Sequence, residues 1–477
     1  MTRFGRLVLV ALVLTVVACQ KSPPVKQTGQ NILLISIDSL RADHVGAYGY
    51  GPPTTPALDA FAQTGAVFTR SYANSPWTLP SHVSMLTGLY PDTHLAVRND
   101  SYLSDRVTTA AEALASAGYD THAVVCAPFL RSTYNLAQGF KTYDEEIAHT
   151  KRPNIRRIKT SETVTDKAVA YLKKRAGSPE PFFLFVHYWD VHYDYNPPKK
   201  YVEIFDPDYQ GDLDGLNISK RDDLKRGMNE RDRRHLLALY DGEIRLTDDH
   251  LRRLLAYLDE TGMAANTAIL ITADHGEEFL EHGTVGHTFT CFEELIRVPL
   301  IARIPGVTRP GQRIDTPVEN VDLFPTMLAV AGASVEKKTQ GHNLLPVIRD
   351  GIELARDRIF CETRMGRRWG WRKPNGVWRS LLFDDGKKVH SFKESGKKTE
   401  FNLYDIDADP GETDDLAAAE NGGELLLPRR RELSQTHRAH TGLAERRNIK
   451  PDSWRYRRKT KNNEDLDEQL RGLGYVN

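Results

Sequence analysis

Asn31-Ile-Leu-Leu-Ile-Ser-Ile-Asp38 is a continuous apolar run of strand length that ends in an acid. Strict alternation would mark a strand with one wet face, whereas an unbroken run predicts one buried on both faces, as in a parallel sheet. Asp38 then stands at the carboxyl end, the edge where open α/β sheets gather ligands. Outward from it, residues 54–64 and 108–117 carry helical spacing, the second stopping at Gly118 before a strand over 121–127. The order recurs with a helix over 161–174, a strand over 182–187, a helix over 232–258 closing near Gly262 and a strand over 267–272. This alternation predicts an α/β fold with a large, mostly parallel central sheet flanked by helices. Residues 197–230 are polar and aperiodic and read as a surface excursion that could form a lid. After a helical stretch over 321–331, short strands at 358–363, 378–383, 388–392 and 401–404 predict a small C-terminal antiparallel sheet.

The chain's 477 residues exceed one ordinary core, and its 64 Lys and Arg balance 64 Asp and Glu, so no global basic field recommends nucleic acid as a partner. Cys126, Cys291 and Cys361 are widely spaced without a metal-type pair. They read as small packed residues, with one disulfide left open.

The chemistry centres on Ser75-Pro-Trp-Thr-Leu-Pro-Ser-His-Val-Ser-Met-Leu-Thr-Gly88. Thr78 is expected to cap a helix with Pro80 in its first turn, and the free amides of that turn form a site for a sulfate or phosphate group. Asp274-His275-Gly276 follows the strand over 267–272, so it reaches the same sheet edge as Asp38. Asp38, Asp274, His275 and Thr78 would then surround one divalent cation, which a threonine hydroxyl needs in order to act as a nucleophile at neutral pH. The imidazole shifts the expected ion from calcium towards manganese or zinc.

Thr78-Leu-Pro-Ser-His82 with Met85-Leu-Thr-Gly88 resembles the sulfatase signature, Cys or Ser-x-Pro-Ser-Arg followed by Leu-x-Thr-Gly. Thr78 stands at the formylglycine position and His82 at that of the arginine. Phe401-Asn-Leu-Tyr-Asp-Ile-Asp-Ala-Asp-Pro-Gly-Glu-Thr-Asp-Asp-Leu416 resembles the family's closing motif, so the likeness spans residues 31–416. It implies a metal-dependent hydrolase of sulfate esters on an alkaline phosphatase-like fold. Asp38, Asp274 and His275 match its metal ligands, with Ser39 where the family has a second Asp. By the same resemblance His192 assists the leaving group, His287 binds the ester's anionic oxygens, and His94 and Asn99 hold the ester. His187 and Asp190 are candidates for a second metal, and His282 is either structural or part of the site. A threonine nucleophile also resembles the phosphodiesterases and phosphoryl transferases of the same superfamily. A third reading is an inactive protein that binds sulfated glycans.

Residues 1–18, with an apolar run over 7–18 ahead of Cys19, resemble a bacterial lipoprotein signal, an ordinary secretory signal or anchor being the alternative. The first reading implies a lipid-anchored protein of the cell envelope, tied to the membrane through Cys19, with residues 19–30 as tether. Residues 31–345 are then the catalytic domain, 346–426 the C-terminal subdomain and 427–477 a basic tail. That tail reads as a solvated face, with anionic lipid as an alternative partner.

Overall fold

The computed structural model describes residues 29–149, 160–218, 221, 227–334, 339–356, 358–365, 376–451 and 461–473. The signal segment 1–18, Cys19 and most of the tether lie outside them. Among the described residues no helix is long and apolar enough to cross a membrane.

The run that follows the tether is the strand Asn31–Ile37, and its apolar residues are buried on both faces. It lies inside an eight-stranded sheet ordered Gln312–Ile314, Ala66–Phe68, Leu300–Arg303, Thr267–Ala273, Asn31–Ile37, Phe182–Tyr188, Asp120–Val124, Thr142–Asp144. The five strands from Thr267–Ala273 to Thr142–Asp144 are mutually parallel, whereas Leu300–Arg303 runs antiparallel to both of its neighbours, so the sheet is mixed. Register fixes the functional edge. Ile37 pairs with Ala273 on one side and Tyr188 on the other, and Ser36 pairs with His187. Asp38 and Asp274 therefore leave two adjacent strands at the same height, with His187, level with Ser36, two rows below.

The helix Glu230–Glu260 begins at Asn229, whose side chain accepts from the Asp232 amide, and it ends just before Gly262, which takes a positive φ of 72°. The helix Ala110–Ser116 opens on a capping box in which the Thr109 and Glu112 side chains each bind the other's backbone amide. The helix Thr78–Thr87 is buried throughout and closes at Gly88, with φ 66°. A side chain at Gly88 would also press on Phe324 and Thr339. Thr78 is not the cap of this helix. Trp77 holds that position without a side-chain cap bond, and Thr78 is the first helical residue. The excursion over 197–230 contains the helix Lys199–Phe205, on which Tyr201 is buried and bonds Asp249.

The C-terminal strands Arg358–Met365, Gly376–Phe383, Lys387–Glu394 and Glu400–Asp405 form an antiparallel meander. Period-two alternation buries both faces. Phe360, Leu381, Val389 and Leu403 pack with Tyr90, Val321 and Leu433, while Ile359, Cys361 and Leu382 pack with Tyr72, Cys291, Leu295 and Ile296. All three described cysteines are buried thiols, and the Cys361 Sγ lies 3.1 Å from the Cys291 Sγ across the joint between the two sheets.

Within the basic stretch after Leu427, Arg430, Arg431 and Arg438 are exposed, as on a solvated face, while apolar residues between and beyond them are buried. Residues Gly422–Arg446 form one helix, with Leu433 and Ala444 buried and Pro428 within its first turns. Its arginines cover aromatic rings, Arg429 over Phe383 at 5.4 Å and Arg430 over Phe401 at 4.5 Å.

Candidate active site

The parallel strands deliver Asp38, Asp274 and His275 to one fully buried point. Each carboxylate gives one oxygen to the protein. Asp38 Oδ1 accepts the Ser39 hydroxyl at 2.9 Å, and Asp274 Oδ1 accepts the Ser39 and His275 amides at 3.1 and 2.9 Å. The second oxygens, Asp38 Oδ2 and Asp274 Oδ2, are buried without a hydrogen-bond partner, as is His275 Nε2. His275 Nδ1 donates to the Gly276 carbonyl at 2.8 Å, which leaves Nε2 as a lone pair 3.3 Å from Asp274 Oδ2 and 3.6 Å from Asp38 Oδ1. Three acceptors that face one another with no proton between them repel unless a cation compensates them, and carboxylate and imidazole donors suit a divalent metal. The three residues form a candidate metal-holding group. Burial and the neighbouring Asp38 charge push the Asp274 carboxyl well above the usual carboxylate range, which again reports uncompensated negative charge.

The helix Thr78–Thr87 is pinned to this point. Ser81 donates to the Asp274 carbonyl at 2.6 Å, and the His82 Nδ1, 3.5 Å from Asp274 Oδ2, donates to the Thr78 carbonyl at 2.8 Å. His82 Nε2 accepts from the Ser36 hydroxyl at 3.0 Å, so both of its ring nitrogens serve the scaffold. Thr78, 2 % exposed, heads the same helix. Trp77 makes no side-chain cap bond, so no cap side chain takes up the amides of the first turn.

A second cluster of rings borders the first. His192 Nδ1 donates to the Tyr193 carbonyl at 2.5 Å, and His287 Nδ1 bonds Glu277 Oε1 at 2.8 Å. The His287 ring centroid lies 4.3 Å from that of His275 and 4.9 Å from that of His192. Burial drives the pKa of His192 and of His275 down to about 3, which leaves both neutral at neutral pH. Glu277 is fully buried, and its role is not visible in the sequence, where it is one of two glutamates after Gly276.

The remaining candidates lie differently. His94 is buried, with Nδ1 accepting from the Ala96 amide at 3.1 Å and Nε2 3.2 Å from the Ser84 hydroxyl, so its ring braces the turn after the Thr78 helix. Asn99 is half-buried in the following turn, where its carbonyl accepts from Tyr134 at 2.9 Å. Asp190 is not placed as a ligand to a second metal. Its two oxygens accept the Thr160 and Ser161 amides at 2.8 Å, holding the start of the helix Thr160–Arg175. His282 stacks on Phe292 and bonds Glu294 at 2.8 Å, a structural post between the two sheets.

Comparison with known proteins agrees with this architecture. The sulfatase family model matches residues 30–333, and the model of the N-sulphoglucosamine sulphohydrolase C-terminal region matches residues 281–439. The multifunctional alkaline phosphatase superfamily protein PehA of Trinickia caryophylli is 27% identical over 68% of this chain and 78% of its own length. Arylsulfatase K of Gallus gallus is 24% identical over 83% of this chain and 80% of its own. Among solved structures, one determined with its substrate D-glucosamine-2-N,6-O-disulfate superposes with a TM-score of 0.71 at 20% identity, covering 88% of this chain and 98% of that one. The phosphonate monoester hydrolase of Agrobacterium radiobacter superposes at 0.70 and 21% identity, covering 86% and 96%. With well over half of its length matched by the family model, the chain belongs to the sulfatase family of hydrolases.

Proposed function

We propose that the protein hydrolyses sulfate esters with Thr78 as nucleophile at the edge defined by Asp38, Asp274 and His275. The observation that carries the reading is the set of buried, partnerless ligand atoms beside the pinned start of the Thr78 helix. A divalent cation held by Asp38, Asp274 and His275 would favour the Thr78 alkoxide and polarise the ester. Thr78 Oγ1 attacks sulfur in line, and the bond from sulfur to the leaving oxygen breaks. His192, neutral at rest, takes the proton released by Thr78 and returns it to the departing oxygen. His287 faces the anionic oxygens, and Glu277 accepts from its Nδ1–H and so fixes the tautomer and orientation of the ring. Water then attacks the sulfur of the threonine ester, which releases sulfate and restores the hydroxyl. His94 and Asn99 support the turn that follows the nucleophile helix.

The neighbour solved with a sulfated glucosamine supports a sulfated sugar as the organic part. A phosphodiester or phosphonate reading rests on the phosphonate monoester hydrolase neighbour and on the threonine itself, because a threonine ester must be attacked a second time, as in phosphoryl transfer. Turnover of an aryl sulfate, an aryl phosphodiester and an aryl phosphonate monoester by one preparation separates them. Faster sulfate turnover that disappears on chelation supports the proposal, and preferred phosphoester turnover replaces it. The reading also includes anchoring of the mature chain to the cell envelope through Cys19, so Cys19→Ser should move the protein out of the membrane fraction.

A further inference from the structure

We infer that His187 is the fourth resting protein ligand of the cation held by Asp38, Asp274 and His275, which makes the site one of two carboxylates and two imidazoles. The inference rests on the metal site read above and adds a residue that lies inside an apolar strand. His187 is fully buried, and its Nε2 has no hydrogen-bond partner although it lies 3.3 Å from Asp38 Oδ2, itself partnerless. It also belongs with Asp274 to a group whose ligand atoms lie within 4.8 Å of one another. The third member of that group, His82, is excluded because both of its ring nitrogens are hydrogen-bonded.

The other side of the ring explains its orientation. The Cys126 thiol donates to the His187 carbonyl at 3.0 Å, and its sulfur lies 3.5 Å from His187 Nδ1. With the thiol proton committed to the carbonyl, the sulfur is free to accept from Nδ1–H, and Nε2 is then a lone pair aimed at a carboxylate oxygen. A ligand imidazole tied through its other nitrogen has this arrangement. The separations fit as well. Donor atoms about 2.0–2.1 Å from a tetrahedral ion stand roughly 3.3–3.4 Å apart, against 3.3 Å from His187 to Asp38 and 3.3 Å from His275 to Asp274.

Charge and softness give the consequence. Ser39 stands next to Asp38 and spends its hydroxyl on Asp38 Oδ1 and its amide on Asp274 Oδ1, so it positions the ligands without adding a charge. Two carboxylates neutralise a dication, and two imidazoles favour zinc-like ions over calcium, whose shell is built of oxygen. The site therefore selects zinc or manganese against calcium through His187.

The test uses the full mature chain, stripped by chelation and titrated separately with Zn2+, Mn2+ and Ca2+, alongside His187→Asn and His187→Ala. The wild type is expected to bind one Zn2+, and both variants should lower the ratio of zinc to calcium affinity at least tenfold. Pulsed EPR of the Cu2+-loaded wild type counts coordinated imidazoles without any variant, and two are expected. An unchanged affinity ratio in a folded variant, or a single imidazole, overturns the role of His187 while leaving Asp38, Asp274 and His275 in place. A wild type that binds none of the ions overturns the underlying metal site as well.

Discussion

Ser39 and Glu277 show how single residues set this site without belonging to the reaction. Ser39 holds both metal-facing carboxylates, so Ser39→Ala should weaken zinc binding about tenfold, in line with the usual cost of losing a residue that orients ligands. Equilibrium titration of the apoprotein checks it. Glu277 holds the His287 tautomer, and Glu277→Gln should lower kcat about tenfold or more, equivalent to about 1.4 kcal/mol in the barrier. The companion readout is thermal unfolding, where a purely structural role for Glu277 would appear as a lowered Tm with kcat intact. Neither role was legible in the chain. Ser39 reads as a departure from the family's second Asp, and Glu277 is one of two consecutive glutamates whose partner, His287, is ten residues away. Thr78 was legible as the head of a helix but not as to whether it caps it, because local sequence does not distinguish the cap from the first helical position.

At the scale of elements, the joint between the two sheets depends on buried charge. Lys388 is fully buried and reaches Glu293 at 2.9 Å and Glu412 at 3.1 Å, while Glu412 also bonds His390 at 2.8 Å and the Glu293 amide at 2.7 Å. Removing one partner strands the others, so Lys388→Met should cost roughly 3–5 kcal/mol, measured by denaturant unfolding. The same cluster sets an acid limit. Burial alone would raise the Glu412 carboxyl, but Lys388 and His390 hold it down to about 2, below an unfolded value of 4.5. A depressed carboxylate pKa stabilises the fold fully above 4.5, and that stabilisation is lost as pH falls towards 2. The fluorescence of Trp378, which packs on His390, should report a destabilisation across that window that is smaller in Glu412→Gln. The first strand was legible because an unbroken apolar run has one economical solution, burial on both faces. The helix Gly422–Arg446 was not, because Leu433 and Ala444 are a thin apolar signal among its arginines. His187 was legible as a candidate ligand, though for a second metal, because the apolar strand around it does not say which carboxylates its ring meets.

For the molecule as a whole, the helix Gly422–Arg446 braces the turn that follows the helix Thr78–Thr87. The buried Asp92, just after the helix Thr78–Thr87, accepts from His437 at 2.5 Å, and Thr93 donates to the His440 carbonyl at 3.1 Å. Against the burial that would raise it, His437 and His440 hold the Asp92 carboxyl well below the usual range. Leu433→Ala, at the centre of this contact, should lower stability by about 2–4 kcal/mol, with unfolding by urea as the check. The order and spacing of motifs were enough to place the chain in its family. Which groups the ester meets depends on contacts between segments hundreds of residues apart, and no local pattern records those. The central claim is that Thr78 carries the reaction, and the most direct measurement is mass spectrometry of the Thr78 peptide after acid quench during turnover of an aryl sulfate. A sulfate ester on Thr78 that is absent from Thr78→Ala and from chelated enzyme is the predicted result. Turnover that persists in Thr78→Ala, with no adduct on the wild-type peptide, would contradict it.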